Sequence, residues 1–250
     1  MAKKEDIAYM KLAIDLALKG AGKVSPNPMV GAVLVRNQEI IGTGFHQKFG
    51  EAHAEVNAIG DSDVSGATIY VTLEPCNYFG KTPPCTDLIL ENKIRRVVVG
   101  SIDPNPRICG KSIEKLRSNG VQVDFGVLQE LTDDLNRFYN YWAETRLPFV
   151  TVKLALSKDG FYAKDDGSSQ WISCGESRKD VHKMRAKFDA VMVGTNTIIA
   201  DNPDLTVRNV DGRNPNRIVI DRDGRILPSQ NVFLDNGARV FYFTTKSIVD

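Results

Sequence analysis

One histidine and two cysteines, His53, Cys76 and Cys85, stand where a metal ion could use them. His53-Ala54-Glu55 opens a predicted helix, Pro75-Cys76 follows a predicted strand end, and Cys85 falls in the first turn of the next helix. Three such ligands suit Zn²⁺ and leave its fourth tetrahedral position to water, as in catalytic rather than closed structural sites. Water held this way has a pKa of about 7, so hydroxide is available at neutral pH. Glu55, two residues past His53, can reach that water without ligating the metal, take its proton and deliver it to a leaving group. Both helix starts present positive dipole ends, which favour thiolate and carboxylate. Taken singly the residues say less. A lone helical histidine is most often a core or surface residue, and two nearby cysteines could form a regulatory disulfide. The combination in this order points to zinc hydrolysis.

The elements that must hold these residues follow from periodicity and turn chemistry. Ile7, Met10, Ile14, Ala17 and Leu18 recur at helical spacing, ended by Gly20 and Gly22. Ser25-Pro26-Asn27-Pro28 is a rigid loop, because each residue before proline is pushed out of the helical region. Residues 29–35 predict a strand, 40–45 its hairpin partner, and 52–59 a helix. Residues 67–73 predict a buried strand, and Thr82-Pro83-Pro84-Cys85 a helix start with Thr82 as cap. Strands at 96–101 and 121–127 flank a helix at 111–119 closed by Gly120, and 130–144 predicts one further helix. Strands alternating with helices predict a layered α/β domain. Arg146-Leu147-Pro148 is the best boundary, giving domains 1–146 and 147–250. The second part predicts strands at 149–157, 189–194, 217–221 and 239–244 and a helix at 176–187. At about 100 residues it is small for an α/β domain and reads as incomplete.

Composition narrows the classes. Lys+Arg is 32 and Asp+Glu 31, for a net charge of +1. That balance lacks the basic surplus of nucleic-acid binders and of proteins that sit on anionic membranes. No run of 18 apolar residues spans a bilayer. Glu5, Asp6 and Asp15 interrupt any export-signal core, so a cytoplasmic location is expected. Four cysteines are too few for a disulfide scaffold.

His-x-Glu, Pro-Cys and a later Cys together resemble the zinc-dependent cytidine-deaminase-like fold. Base deaminases place two residues between the cysteines. Here eight separate Cys76 from Cys85. The insert Asn77-Tyr78-Phe79-Gly80-Lys81-Thr82-Pro83-Pro84 is similar to that of the bifunctional riboflavin-biosynthesis deaminase/reductase family. Ser25-Pro26-Asn27-Pro28-Met29-Val30-Gly31 and Asp103-Pro104-Asn105-Pro106 extend the resemblance. The resemblance implies His53, Cys76 and Cys85 as zinc ligands and Glu55 as catalytic acid/base. It implies 2,5-diamino-6-ribosylamino-4(3H)-pyrimidinone 5′-phosphate as substrate, losing its C2 amino group as ammonia. Asn27, His46, Lys81, Asp103 and Asn105 would bind it. Lys81 suits a phosphate, and Asp103 and Asn105 sit in a loop after a strand end. Many family members carry histidine where Tyr78 stands.

The second half supports the same family. Its segments are 153–160, Ser169-Gln170-Trp171-Ile172-Ser173, Met184-Arg185-Ala186, 193–197 and 200–208. In this order they resemble the family's reductase domain, which is similar in fold to dihydrofolate reductase and uses NADPH. No Gly-x-Gly-x-x-Gly accompanies them. The resemblance implies Ala155, Trp171, Thr197 and Asp201 at the cofactor, and Lys153, Ser169, Arg185, Leu205 and Arg208 at the substrate. Guanidinium forks suit a sugar phosphate. Hydride transfer to ribose C1′ would give a ribityl chain, the cofactor carrying the chemistry. The expected partner is a small phosphorylated pyrimidine, with no nucleic acid and no membrane, in a homo-oligomer. The competing readings are another zinc nucleobase or tRNA deaminase, and a zinc-stapled binding module.

Overall fold

The computed structural model describes residues 3–80, 83–165, 167–169, 171–234 and 237–245. The chain divides into two compact units, 1–150 and 151–250.

In the first unit α1 (Lys4–Leu18) precedes the hairpin β1 (Gly31–Arg36) and β2 (Glu39–Phe45). Then follow α2 (Ala54–Ile59), β3 (Thr68–Leu73), α3 (Cys85–Glu91), β4 (Arg96–Ser101), α4 (Lys111–Ser118) and β5 (Gln122–Phe125). Two helices close the unit, α5 (Gln129–Leu135) and α6 (Arg137–Thr145). The sheet order is β2-β1-β3-β4-β5. The β1 strand runs antiparallel to both neighbours, while β3, β4 and β5 are parallel.

Successive strand residues point to opposite faces, and here both faces are covered. Ala32, Leu34, Ile69, Val71, Val97 and Val99 share one core with residues of α2, α3 and α4. Val33, Val35, Tyr70 and Val98 share the other with Met10, Ala13 and Leu16 of α1. A sheet buried on both sides reads as unbroken apolar runs rather than alternation, which is why these strands stand out in the sequence. Gly44 lets α2 lie against β2: a Cβ there would overlap the backbone of Ala54 and Ala58. That close approach fixes the end of α2 that carries His53 and Glu55.

Far from this end, Arg96 grips Asp6 with two bonds of 2.8 and 3.0 Å, and the Tyr70 hydroxyl donates to the same carboxylate at 2.9 Å. Asp6 is buried. Its Arg96 bonds hold the carboxyl below its ordinary range. Breaking a buried pair leaves an uncompensated charge, so Asp6→Ala is expected to cost about 3 kcal/mol in urea unfolding. Because the folded pKa is depressed, the stabilisation is present above about pH 4 and is lost as pH falls below that. The variant should lack that part of the wild-type acid sensitivity.

Two expectations fail in instructive ways. The single helix expected over 130–144 is two helices, parted at Asn136. Asn136 leaves the helical path (φ −110°, ψ 20°). Its side chain accepts from the Met29 N–H at 2.8 Å and donates to the Met29 carbonyl at 2.9 Å. The strand expected over 149–157 joins no ladder among the described residues, and Val150 and Val152 are more than three-quarters exposed. Alternation alone does not make a strand when its N–H and C=O groups find no neighbour. The cap expected from Thr82 lies outside the described residues. The α3 helix begins at Cys85, with Pro84 as the flanking residue.

The second unit holds α7 (Gly175–Lys187), β6 (Ala190–Gly194), α8 (Thr195–Asp201), β7 (Asn216–Ile220) and β8 (Val240–Phe243). Its three strands are parallel, in the order β6-β7-β8. Ile198, Leu205, Val219, Ile226 and Val232 form its core. The α8 helix was not foreseen. Among the described residues no helix is long and apolar enough to cross a membrane.

Candidate active site

The site is built at element ends of the first unit. His53 is the residue before α2, in extended conformation, and Cys85 is the first residue of α3. Cys76 lies three residues past β3, and the N–H of Cys85 donates to its Sγ at 3.3 Å. His53 Nδ1 lies 3.3 Å from Cys85 Sγ and 3.5 Å from Cys76 Sγ. One ligand atom from each of the three residues lies within 4.8 Å of the others. Zn–S arms of 2.3 Å and a Zn–N arm of 2.0–2.1 Å at tetrahedral angles give N···S edges of about 3.5 Å. The donor set therefore fits zinc in both chemistry and spacing.

The electrostatics of the protein alone agree. The Cys76 thiol is lowered by the hydrogen bond it receives from Cys85 and by His53. Cys85 is raised by the same shared bond and by burial. The pair thus loses its first proton readily and its second reluctantly, a penalty that a cation between the sulfurs removes. Glu55 is buried, and its carboxylate accepts a hydrogen bond from Cys85. Burial, then the charge of Cys76, pushes its carboxyl up to about 7.

These residues face a cavity of about 520 Å³ that Asn27, His46, Asp103 and Asn105 also line. His46 Nδ1 lies 2.9 Å from the carbonyl of Ala52, and Nε2 lies 3.1 Å from Asn27 Nδ2. The tautomer that satisfies both contacts donates from Nδ1 and accepts at Nε2. Burial lowers the His46 pKa, which keeps that neutral form. Asn27 is thereby oriented, with its loop pinned one step later by the Asn136–Met29 pair. Asp103 accepts the Asn105 N–H at 2.8 Å and the Tyr139 hydroxyl at 3.0 Å. Burial still pushes its carboxyl up to about 6. Lys81 lies outside the described residues, and Tyr78 lines the cavity.

Sequence reasoning missed two kinds of residue here. Glu74 is a buried carboxylate that accepts from the N–H groups of Asp103, Gly110 and Ser112. It thereby holds the loop bearing Asp103 and Asn105. The only available signal was an acid at the end of a buried strand. Tyr139, Trp142 and Arg146 come from one face of α6 and its end and close the cavity wall. Their spacing was legible, but it reads equally as a core-facing stripe.

In the second unit the structure brings Arg185 and Arg208 together beside His182, while Leu205 packs in the unit's core. Arg185 Nη1 donates to the Thr206 carbonyl at 3.2 Å, and the Arg208 N–H donates to His182 Nδ1 at 3.2 Å. Burial, then the charge of Arg208, lowers the Arg185 pKa. Lys153 and Ala155 lie on the extended segment without a ladder, Ser169 on the loop that follows it, and Trp171 beneath the Arg178 guanidinium. Thr197 and Asp201 lie on α8. No hydrogen bond among the described residues joins these six to the arginine pair.

Comparison with known proteins places both units. Residues 3–101 match the cytidine and deoxycytidylate deaminase zinc-binding region, and residues 148–250 match the RibD C-terminal domain. A riboflavin biosynthesis protein RibD from Aquifex aeolicus is 47% identical over 98% of this chain and 70% of its own length. The Bacillus amyloliquefaciens protein of that name is 43% identical over 94% of this chain and 64% of its own length. Among solved structures, a diaminohydroxyphosphoribosylaminopyrimidine deaminase/5-amino-6-(5-phosphoribosylamino)uracil reductase from Thermotoga maritima superposes with a TM-score of 0.92 at 46% identity. That match covers 97% of this chain and 70% of the other. Acinetobacter baumannii RibD superposes with a TM-score of 0.91 at 38% identity over the same shares. The chain belongs to the bifunctional deaminase/reductase family of riboflavin biosynthesis, whose cofactors are Zn²⁺ and NADPH.

Proposed function

We propose that the first unit hydrolyses the C2 amino group of 2,5-diamino-6-ribosylamino-4(3H)-pyrimidinone 5′-phosphate. The observation that supports this is the buried Glu55 carboxyl beside the His53, Cys76 and Cys85 donor triangle, facing a cavity lined by polar side chains. When bound, zinc supplies a water acidified to a pKa of about 7. Glu55 takes one proton of a water and passes it to the ring nitrogen as the water oxygen bonds to C2. It then takes the remaining proton of the new C2 hydroxyl and passes it to the amino group, so that the C–N bond breaks, the C2 carbonyl forms and ammonia departs. Asn27, held by neutral His46, presents its amide to the ring or ribose, and Asp103 and Asn105 bind from the opposite loop. Lys81 belongs to the same proposal as a phosphate ligand.

The second unit carries the reductase half. Arg185 and Arg208 receive the substrate phosphate, with Leu205, Lys153 and Ser169 beside the pyrimidine and ribose. Ala155, Trp171, Thr197 and Asp201 offer a small side chain, an indole face, a hydroxyl and a carboxylate, which suit the rings and hydroxyls of NADPH. NADPH, when bound, supplies the hydride that reduces ribose C1′. A cytoplasmic site of action accords with cysteines kept as free thiols.

The test is ammonia release by zinc-loaded protein, run in parallel on the diaminopyrimidine ribosyl phosphate, cytidine, guanine and tRNA. Release from the first alone is expected. Release from any of the others, with none from the first, would replace this substrate by that one.

A further inference from the structure

The cavity of the first unit is polarised by depth. Its carboxylates, Glu55, Glu74 and Asp103, are all buried, whereas the two guanidinium groups that line it, Arg107 and Arg146, are exposed. The two cations thus stand where solvent reaches them, so that the anionic end of a ligand meets them at the rim.

Arg146 is placed for that task by its backbone and by its ring partner. It ends α6 in the left-handed region (φ 61°), and its N–H closes the helix on the Trp142 carbonyl at 2.9 Å. Its guanidinium lies 4.7 Å from the centroid of the Trp142 ring. Stacking on an indole engages the face of a guanidinium and leaves its in-plane N–H donors free. Among the described residues Arg146 has no carboxylate partner. A flat, pre-oriented fork with open donors matches the bidentate geometry of a phosphate. Arg107 is a second cation lining the cavity, and its side chain likewise has no acidic partner among the described residues.

We propose that Arg146, stacked on Trp142, binds the phosphate of a sugar-phosphate ligand at the mouth of the first unit's cavity. Arg107 adds a second positive charge there. The proposal rests on the reading of this cavity as a site for a phosphorylated ligand.

Trp142 provides its own reporter, because the chain has two tryptophans. In a Trp171→Phe background of the full zinc-loaded chain, Trp142 fluorescence is titrated with ribose 5-phosphate and separately with ribose. A saturable change with ribose 5-phosphate and none with ribose is expected. Arg146→Ala should weaken that binding at least tenfold, and Arg146→Lys should recover part of it. Arg222→Ala, which removes an exposed cation assigned to neither site, should leave the Trp142 titration as it was. Equal responses to the two sugars, or an Arg146→Ala titration within twofold of the parent, would overturn the proposal. Arg146-dependent binding without ammonia release from the pyrimidine substrate would overturn the deaminase reading and leave this one standing. Ammonia release with no Arg146-dependent binding would do the reverse.

Discussion

Replacing Glu55 by glutamine is expected to slow ammonia release by a factor of about 10²–10⁴, with zinc still bound at one per chain. The amide keeps the shape of the side chain and cannot carry a proton from water to the ring nitrogen. Glu55 lies beside the donor triangle and is not part of it, so metal binding should survive. Stability should survive as well, because a buried carboxyl whose ionisation burial disfavours gains little from its charge. The measurements are initial rates of ammonia release, zinc content by atomic absorption, and the urea midpoint. A variant that keeps more than a tenth of the rate would remove Glu55 from proton transfer. A variant that loses its zinc would make Glu55 part of the metal site instead.

Replacing Glu74 by alanine is expected to cost about 3–5 kcal/mol of stability. Its carboxylate accepts from the N–H groups of Asp103 at 3.3 Å, Gly110 at 2.9 Å and Ser112 at 3.1 Å. Bonds to a charged acceptor are each worth about 1.5–3 kcal/mol and are not additive. The truncation strands three donors at once in a buried place. Glutamine at the same position keeps the volume and one acceptor oxygen, so Glu74→Gln should fall between wild type and alanine. Since Asp103 and Asn105 ride on the anchored loop, the folded Glu74→Gln protein should show a raised KM with a smaller change in kcat. A loss below about 1 kcal/mol in Glu74→Ala would mean that the loop holds itself.

The contrast between Glu55 and Glu74 shows what local sequence can reveal. His53, Glu55, Cys76 and Cys85 were legible because zinc chemistry demands particular residue types at helix starts and strand ends, and those signals are local. The strands around Val33, Ile69 and Val98 were legible because burial on both faces makes them short runs dominated by apolar and β-branched residues. Glu74 was not, since its meaning lies in donors that follow 29 to 38 residues later. Asn136 was not either, because nothing near it says that a helix must break to reach Met29, 107 residues away. The Tyr139, Trp142 and Arg146 face became a cavity wall only through that break. Residues 149–157 show the converse: period-two alternation announces a strand, while pairing is decided elsewhere in the fold.

That stretch has a consequence for the handling of the protein. Val150, Val152, Leu154 and Leu156 alternate along an extended backbone with no ladder among the described residues, and all four are at least half exposed. Free backbone groups beside β-branched and leucine side chains are a template for intermolecular β-pairing, the route to precipitation. Pro148, Lys153 and Lys158 interrupt or flank the run and act as gatekeepers, by a missing donor and by like-charge repulsion between copies. Solubility on expression therefore hinges on these few residues, and raising the salt, which screens the lysines, works against it.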